Sequence, residues 1–144
     1  MNKLIYPAHE SLYFHNRLAH VVELPGRYVR VEWLVAPMFS PDLRQVYEQT
    51  LLLLKEARLH KVLTDHQLLP AIMPRDREWL VHDWVPRAVR EAQYRCCAIV
   101  GSQDMYARLA ATHLGRQAHR HMGLQIAHFS DCAAAAHWLE TTDA

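Results

Sequence analysis

A chain of 144 residues, 51% hydrophobic and 22% charged, has the size and make-up of a single globular domain, residues 1–144, with a substantial core. Its formal charge of +1 supplies no strong field to collect nucleic acid or an anionic membrane surface, and no run of about 18 apolar residues is present to span a bilayer. The N-terminal residues hold no apolar stretch long enough for a signal peptide. The three cysteines, Cys96, Cys97 and Cys132, form an odd set without framework spacing. Cys96 and Cys97 point to opposite faces of a strand, so they cannot readily pair and read as buried small hydrophobes in a reducing, cytoplasmic setting.

Taken in chain order, Leu12–His15 is a short first strand, followed by two longer ones, Ala19–Leu24 and Tyr28–Val35. Leu24-Pro25-Gly26-Arg27 between them suits a type II turn with proline and glycine at its centre. Val29, Val31, Trp33 and Val35 alternate with Tyr28, Arg30, Glu32 and Leu34, the period of a strand with one face buried and one partly wet. Ser40-Pro41-Asp42 signals a helix start, with serine as the cap. Leu43, Val46, Tyr47, Leu51 and Leu54 then follow at helical spacing, predicting a helix over 41–59.

Lys61–Asp65 is a short apolar strand ending in an acid. Pro74 opens the next helix, and Pro86 should kink or divide it. Cys96–Val100 is apolar on both faces, as a central parallel strand covered by helices must be. Ser102 can cap a third helix, in which Tyr106, Ala110, Leu114, Ala118 and Met122 recur every four residues, and Gly123 supplies a left-handed stop. Leu124–Phe129 is the last strand, before Ser130-Asp131 and an alanine-rich helix. The expectation is an α/β fold with a mixed sheet, antiparallel in its N-terminal part and parallel thereafter, with helices alternating between the parallel strands.

Val62-Leu63-Thr64-Asp65 after a long helix, Trp79-Leu80 through Pro86, Ala98-Ile99-Val100, and the closing Phe129-Ser130-Asp131 with Ala133–Ala136 and Trp138-Leu139 together resemble the small bacterial STAS-like proteins, relatives of the anti-sigma-factor antagonist domain. The resemblance runs over nearly the whole chain. It implies a mixed sheet with helices packed on it and a non-enzymatic regulator that binds a partner protein. In that family the phosphorylated serine or threonine follows the strand-ending aspartate. His66 and Gln67 hold the matching positions here and Thr64 precedes Asp65, so the phosphoswitch is not carried over.

Among candidate chemistries, the eleven histidines raise the question of a metal. No pair has the three- or four-residue helical spacing a chelate wants, and His119 and His121 would lie on nearly opposite sides of a helix, so neither metal nor cofactor is expected. His113 should line a helix–sheet contact. Ligands of open α/β sheets bind outside the carboxyl ends of the strands, where Asp65, His66, Gln67 and Ser102 could share one polar rim. A hydrolase reading would make His66 the base, Asp65 its orienter and Ser102 the nucleophile, although Ser102 lacks a nucleophile-elbow pattern and Asp65 can equally cap the following turn. Gly101-Ser102-Gln103-Asp104 is a weak anion cue, weakened further by the acid.

Trp79 and Trp84 stand about 140° apart around a helix, so one of them should lie at the edge of the buried stripe or face outward. The connection Leu68–Met73 before them is apolar enough to offer Leu69, Ile72 and Trp79 as a contact surface; the alternative is a loop folded over the core. The resulting expectation is a non-enzymatic cytoplasmic regulatory or protein-interaction module. It would bind a protein partner or a second copy of itself through Asp65, His66, Gln67, Leu69, Ile72, Trp79 and Ser102. One alternative is a binder of a lipid or other apolar small molecule, similar to CRAL-TRIO domains; the other is a small hydrolase using His66 and Ser102.

Overall fold

The computed structural model describes residues 10–101 and 123–142. Six strands, β1 (Ser11–His15), β2 (Ala19–Leu24), β3 (Tyr28–Trp33), β4 (Lys61–Asp65), β5 (Cys96–Val100) and β6 (Gln125–Phe129), lie side by side in that order in one sheet. β1, β2 and β3 pair antiparallel, and β3, β4, β5 and β6 pair parallel. The change of sense follows from the connections. Two tight turns join the first three strands, whereas a parallel neighbour needs a long crossover, which α1 (Ser40–Ala57) supplies between β3 and β4. The fold is the mixed α/β sheet expected from the alternation of patterns.

The β2–β3 turn forms as its sequence dictates: Gly26 takes φ 74° and Arg27 N–H donates to Leu24 C=O at 2.9 Å. β3 ends at Trp33, two residues short of expectation, and Val35 lies beyond the strand, 79% exposed, rather than on its buried face. α1 begins at Ser40, but Ser40 is not its cap. Phe39 holds that position without a side-chain hydrogen bond, and the Ser40 hydroxyl instead donates to Asp76 Oδ1 at 2.6 Å. At the other end, Arg58 adopts a left-handed conformation and Leu59 N–H reaches Leu54 C=O, closing the helix as a glycine would.

The second crossover consists of α2 (Pro74–Trp79), a π-helical turn (Leu80–Trp84) and α3 (Val85–Ala92). Pro86 explains the widened turn. It has no N–H to continue the ordinary ladder, and Val85 N–H reaches back five residues to Leu80 C=O. α4 (Cys132–Thr141) closes the described chain, capped by Asp131, whose side chain accepts from Ala134 N–H at 2.8 Å. The expected helix between β5 and Gly123, with Ser102, His113, His119 and His121, lies outside the described residues.

The strand period of two sorts the sheet into two cores. On one face Val21, Val29, Val31, Trp33, Val62, Cys97 and Ile99 pack against α1, the π-turn and α3. On the other Val22, Leu24, Tyr28, Leu63, Cys96, Ala98 and Val100 pack against Ala135 and Leu139 of α4. Every residue of β5 is buried, as its unbroken apolar run demands, and Cys96 and Cys97 indeed fall in opposite cores. Lys61 fastens α4 to the sheet by donating to the Leu139 and Thr142 carbonyls at 2.5 and 2.6 Å, a cation at the negative end of a helix. No described helix is long and apolar enough to cross a membrane.

Candidate functional site

The carboxyl ends of β3 and β4, with the loops that leave them, bring together most of the residues singled out above, but not as one rim. Successive strand residues face opposite ways, so Asp65 and His66 part company. Asp65 belongs to the α4 side. Its Oδ1 accepts from Gln67 N–H at 3.1 Å, a cap on the following turn, and its Oδ2 lies 3.5 Å from Cys132 Sγ. Cys132 is exposed, and its thiol is pushed up to about 11 by partial burial and the neighbouring Asp65 carboxylate. It is therefore a poor nucleophile at neutral pH.

His66 turns to the other face and is 2% exposed. Its backbone N–H continues the sheet by donating to Val100 C=O at 3.0 Å, and its ring meets Trp33 edge-on at 6.4 Å between centroids. Neither Nδ1 nor Nε2 has a hydrogen-bonding partner among the described residues. The Asp–His pair that a hydrolase would need is therefore not formed. Burial, helped by the nearby His128, pulls the imidazole pKa down to about 3, so the ring is neutral at physiological pH. A neutral imidazole carries one donor and one acceptor, and leaving such groups unmet in a core costs about 1–3 kcal/mol each.

The His66 side chain, though not its nitrogens, lines a cavity of about 60 Å³ between the sheet and the π-turn, whose other lining side chains are chiefly apolar and aromatic and include Val31, Val62, Leu80, Trp84 and Ile99. Thr64 lines it as well, its hydroxyl accepting from Trp33 Nε1 at 2.9 Å. Burial raises the Tyr47 and Tyr94 phenols well above the usual tyrosine value and pushes the Cys97 thiol up to about 11, so all three remain protonated. Of the two tryptophans, Trp84 is buried and donates to Tyr47 C=O at 2.8 Å, while Trp79 sits at the margin under the Arg44 guanidinium, 4.9 Å from ring to cation. Arg44 and Ser40 converge on Asp76, whose carboxylate is fully buried, and this joins the starts of α1 and α2.

The loop from His66 to Met73 corrects the expectation for its apolar residues. Leu69 and Ile72 are buried in the core beneath α1 and the π-turn and offer no contact surface. Leu69 N–H donates to His66 C=O, a turn that drives the leucine inward. What the loop does expose are Leu68 and Met73, 46% and 51% accessible, while the loop leaving the neighbouring parallel strand β3 exposes Val35 and, by half, Phe39. The Ser40–Asp76 hydrogen bond ties the segment carrying Phe39 to the segment carrying Met73. No lone strand or helix announces this edge; it is assembled from loop residues that lack a periodic signal.

Among the described residues, no group of three or more His, Cys, Asp or Glu side chains is placed to hold a metal ion. The class defined by this geometry is a six-stranded mixed α/β sheet with helices on both faces. Comparison of the chain with protein-family models, with curated proteins and with solved structures finds no match.

Proposed function

We propose that this protein is a non-enzymatic, STAS-like interaction module that binds a protein partner or a second copy of itself through the loop edge at the carboxyl ends of β3 and β4. The observation that carries the reading is the set of exposed apolar side chains, Val35, Phe39, Leu68 and Met73, on two loops leaving adjacent parallel strands. Such side chains grouped at one edge mark an interface more often than side chains scattered singly, and the carboxyl end is where open α/β sheets place their ligands. The resemblance of the sequence to STAS-like regulators points the same way. Free thiols at Cys96, Cys97 and Cys132 fit a reducing, cytoplasmic setting.

Two features weigh against the alternatives. The hydrolase loses its orienting pair, since Asp65 and His66 lie on opposite faces and the His66 nitrogens contact no carboxylate among the described residues. The apolar cavity beside His66, about 60 Å³, is far below the roughly 300 Å³ at which pockets for drug-sized molecules begin, and the larger grooves of about 530 and 460 Å³ are lined by charged side chains such as Arg27, Lys61, Lys55 and Glu91, unsuited to a lipid chain. In a Phe39→Ser, Met73→Ser double variant, sedimentation velocity should show self-association, or binding of a co-purified protein partner, at least tenfold weaker than in the parent. The melting temperature should move by no more than a few degrees, because both side chains already face solvent. Association unchanged in the double variant would sink the reading.

A further inference from the structure

The loop edge offers charge beside its apolar side chains. The Arg17 side chain is 75% exposed, its guanidinium lies 5.8 Å from the centre of the Phe39 ring, and it pairs with Asp42 at 3.0 Å. Arg44 joins the Trp79 ring to the buried Asp76. Just beyond Met73, α2 carries Arg75, exposed, and Arg77, half-buried, whose guanidinium groups meet no carboxylate among the described residues. The two loops are fastened to one another. The Ser40 hydroxyl, next to Phe39, donates to Asp76, and Asp76 N–H donates to Met73 C=O at 3.0 Å.

The balance of this charge is positive. Asp42 answers Arg17 and Asp76 answers Arg44, which leaves Arg75 and Arg77 uncompensated among the described residues. Asp65, at the end of β4, is taken up by Gln67 N–H and Cys132 on the α4 side. Phe39 caps α1 without a side-chain hydrogen bond, so the first N–H groups of that long helix add partial positive charge beside the Phe39 ring. A symmetric contact between two copies sets one patch against itself. Here it would bring Arg75 and Arg77 towards their own counterparts, a repulsion that works against it. Anionic membrane surfaces are matched by clusters of about 4–8 lysines and arginines, more than this pair supplies in a chain of net charge +1. Carboxylates set among apolar side chains answer both features of the edge at once.

We infer that the loop edge binds a different polypeptide, through a segment in which apolar side chains are flanked by aspartate or glutamate. This names the partner chemistry of the loop-edge reading and rests on that reading. Phe39 and Met73 supply apolar contact, and the forked guanidinium groups of Arg75 and Arg77 receive the carboxylates. The apolar contacts give most of the affinity, and the arginines decide which segment is accepted.

The test is a selection from random peptides displayed on phage. It is run on the full-length chain, on Arg75→Glu with Arg77→Glu, and on Phe39→Ser with Met73→Ser. Peptides enriched on the parent should combine apolar residues with aspartate or glutamate. By fluorescence anisotropy the leading peptide should bind the parent about tenfold more tightly than either variant, and more weakly as salt is raised. On the arginine variant, which loses no contact within the described fold, selection should turn to lysine and arginine. Apolar peptides enriched without acidic preference, and lost in the Phe39, Met73 variant, overturn the inference while leaving the loop-edge reading intact. Enrichment that survives in that variant, or no enrichment at all, also overturns it, and sedimentation velocity then judges the loop-edge reading separately. A parent homodimer dissolved by the Phe39 and Met73 substitutions assigns the edge to a second copy. Binding to phosphatidylglycerol vesicles with no peptide selected assigns it to a membrane, and either result overturns the inference.

Discussion

Replacing Leu69 and Ile72 together by serine is expected to unfold the protein or to lower its melting temperature by more than about 10 °C. Both side chains are sealed in the core, 0% and 4% exposed. Truncating a buried leucine or isoleucine costs about 2–5 kcal/mol, and a hydroxyl buried without a partner adds about 1–3 kcal/mol. Two such losses approach the whole stability of an ordinary domain, about 5–15 kcal/mol. The outward-facing pair from the same loop, Leu68→Ser with Met73→Ser, should shift stability by no more than about 1 kcal/mol in total. Urea unfolding followed by tryptophan fluorescence distinguishes the two pairs. A Leu69, Ile72 variant as stable as the parent would mean that the loop does not seal the core.

The second large effect is an acid destabilisation centred on His66. Its pKa is about 3 in the folded chain, lowered by burial and by His128, against about 6.5 when unfolded. Between those values the unfolded chain holds the extra proton and the native chain does not, so acid favours unfolding. The group costs nothing above about pH 6.5. Stability is lost progressively as the pH falls from there, amounting to about 4 kcal/mol at pH 3 at 1.36 kcal/mol per unit. His66→Phe retains a ring against Trp33 and removes the titration. Stability measured by urea unfolding from pH 7.5 to pH 4 should fall more steeply in the parent than in the variant. The Glu10 carboxyl, lowered by its hydrogen bond to Arg30, titrates in both proteins and cancels in the comparison. Parallel curves would show that His66 is hydrated or already paired.

How far these sites could be read from the residues depended on whether a local rule governed them. Cys96–Val100 announced a strand buried on both faces because it is a short, unbroken apolar run in a chain where such strands alternate with helical patterns. Pro25-Gly26 set its turn because glycine alone takes the positive φ without strain. Pro86 marked a helix irregularity for want of an N–H, though a kink or a break would have met the same lack as well as the π-turn that forms. The ends of α1 and α3 were less legible, because Arg58 and Gln93 adopt the left-handed conformation without glycine, closed by local bonds from Leu59 N–H to Leu54 C=O and from Tyr94 N–H to Ala88 C=O.

The candidate site was legible as a location but not as an arrangement. Asp65, His66 and Gln67 were correctly placed at a strand end. The strand period, applied one residue past Asp65, would already have sent His66 to the opposite face, so that signal was present and went unused. Ser40 looked like a cap, but a buried carboxylate at Asp76 outcompeted the backbone for its hydroxyl. Leu69 and Ile72 alternate inward with Leu68 and Met73 outward along an irregular loop, where no period exists to say which is which. Burial there is decided by the core those residues join, which is built from elements outside the loop itself.

The most direct measurement on the proposed interaction is native mass spectrometry of the untagged protein as purified, with the same sample then sprayed under denaturing conditions. The edge formed by Val35, Phe39, Leu68 and Met73 predicts a homodimer or a complex with a second polypeptide, reduced to a single chain by the Phe39→Ser, Met73→Ser substitutions. A monomer in the parent and the variant alike, at concentrations up to tens of micromolar and with no second chain present, would contradict it.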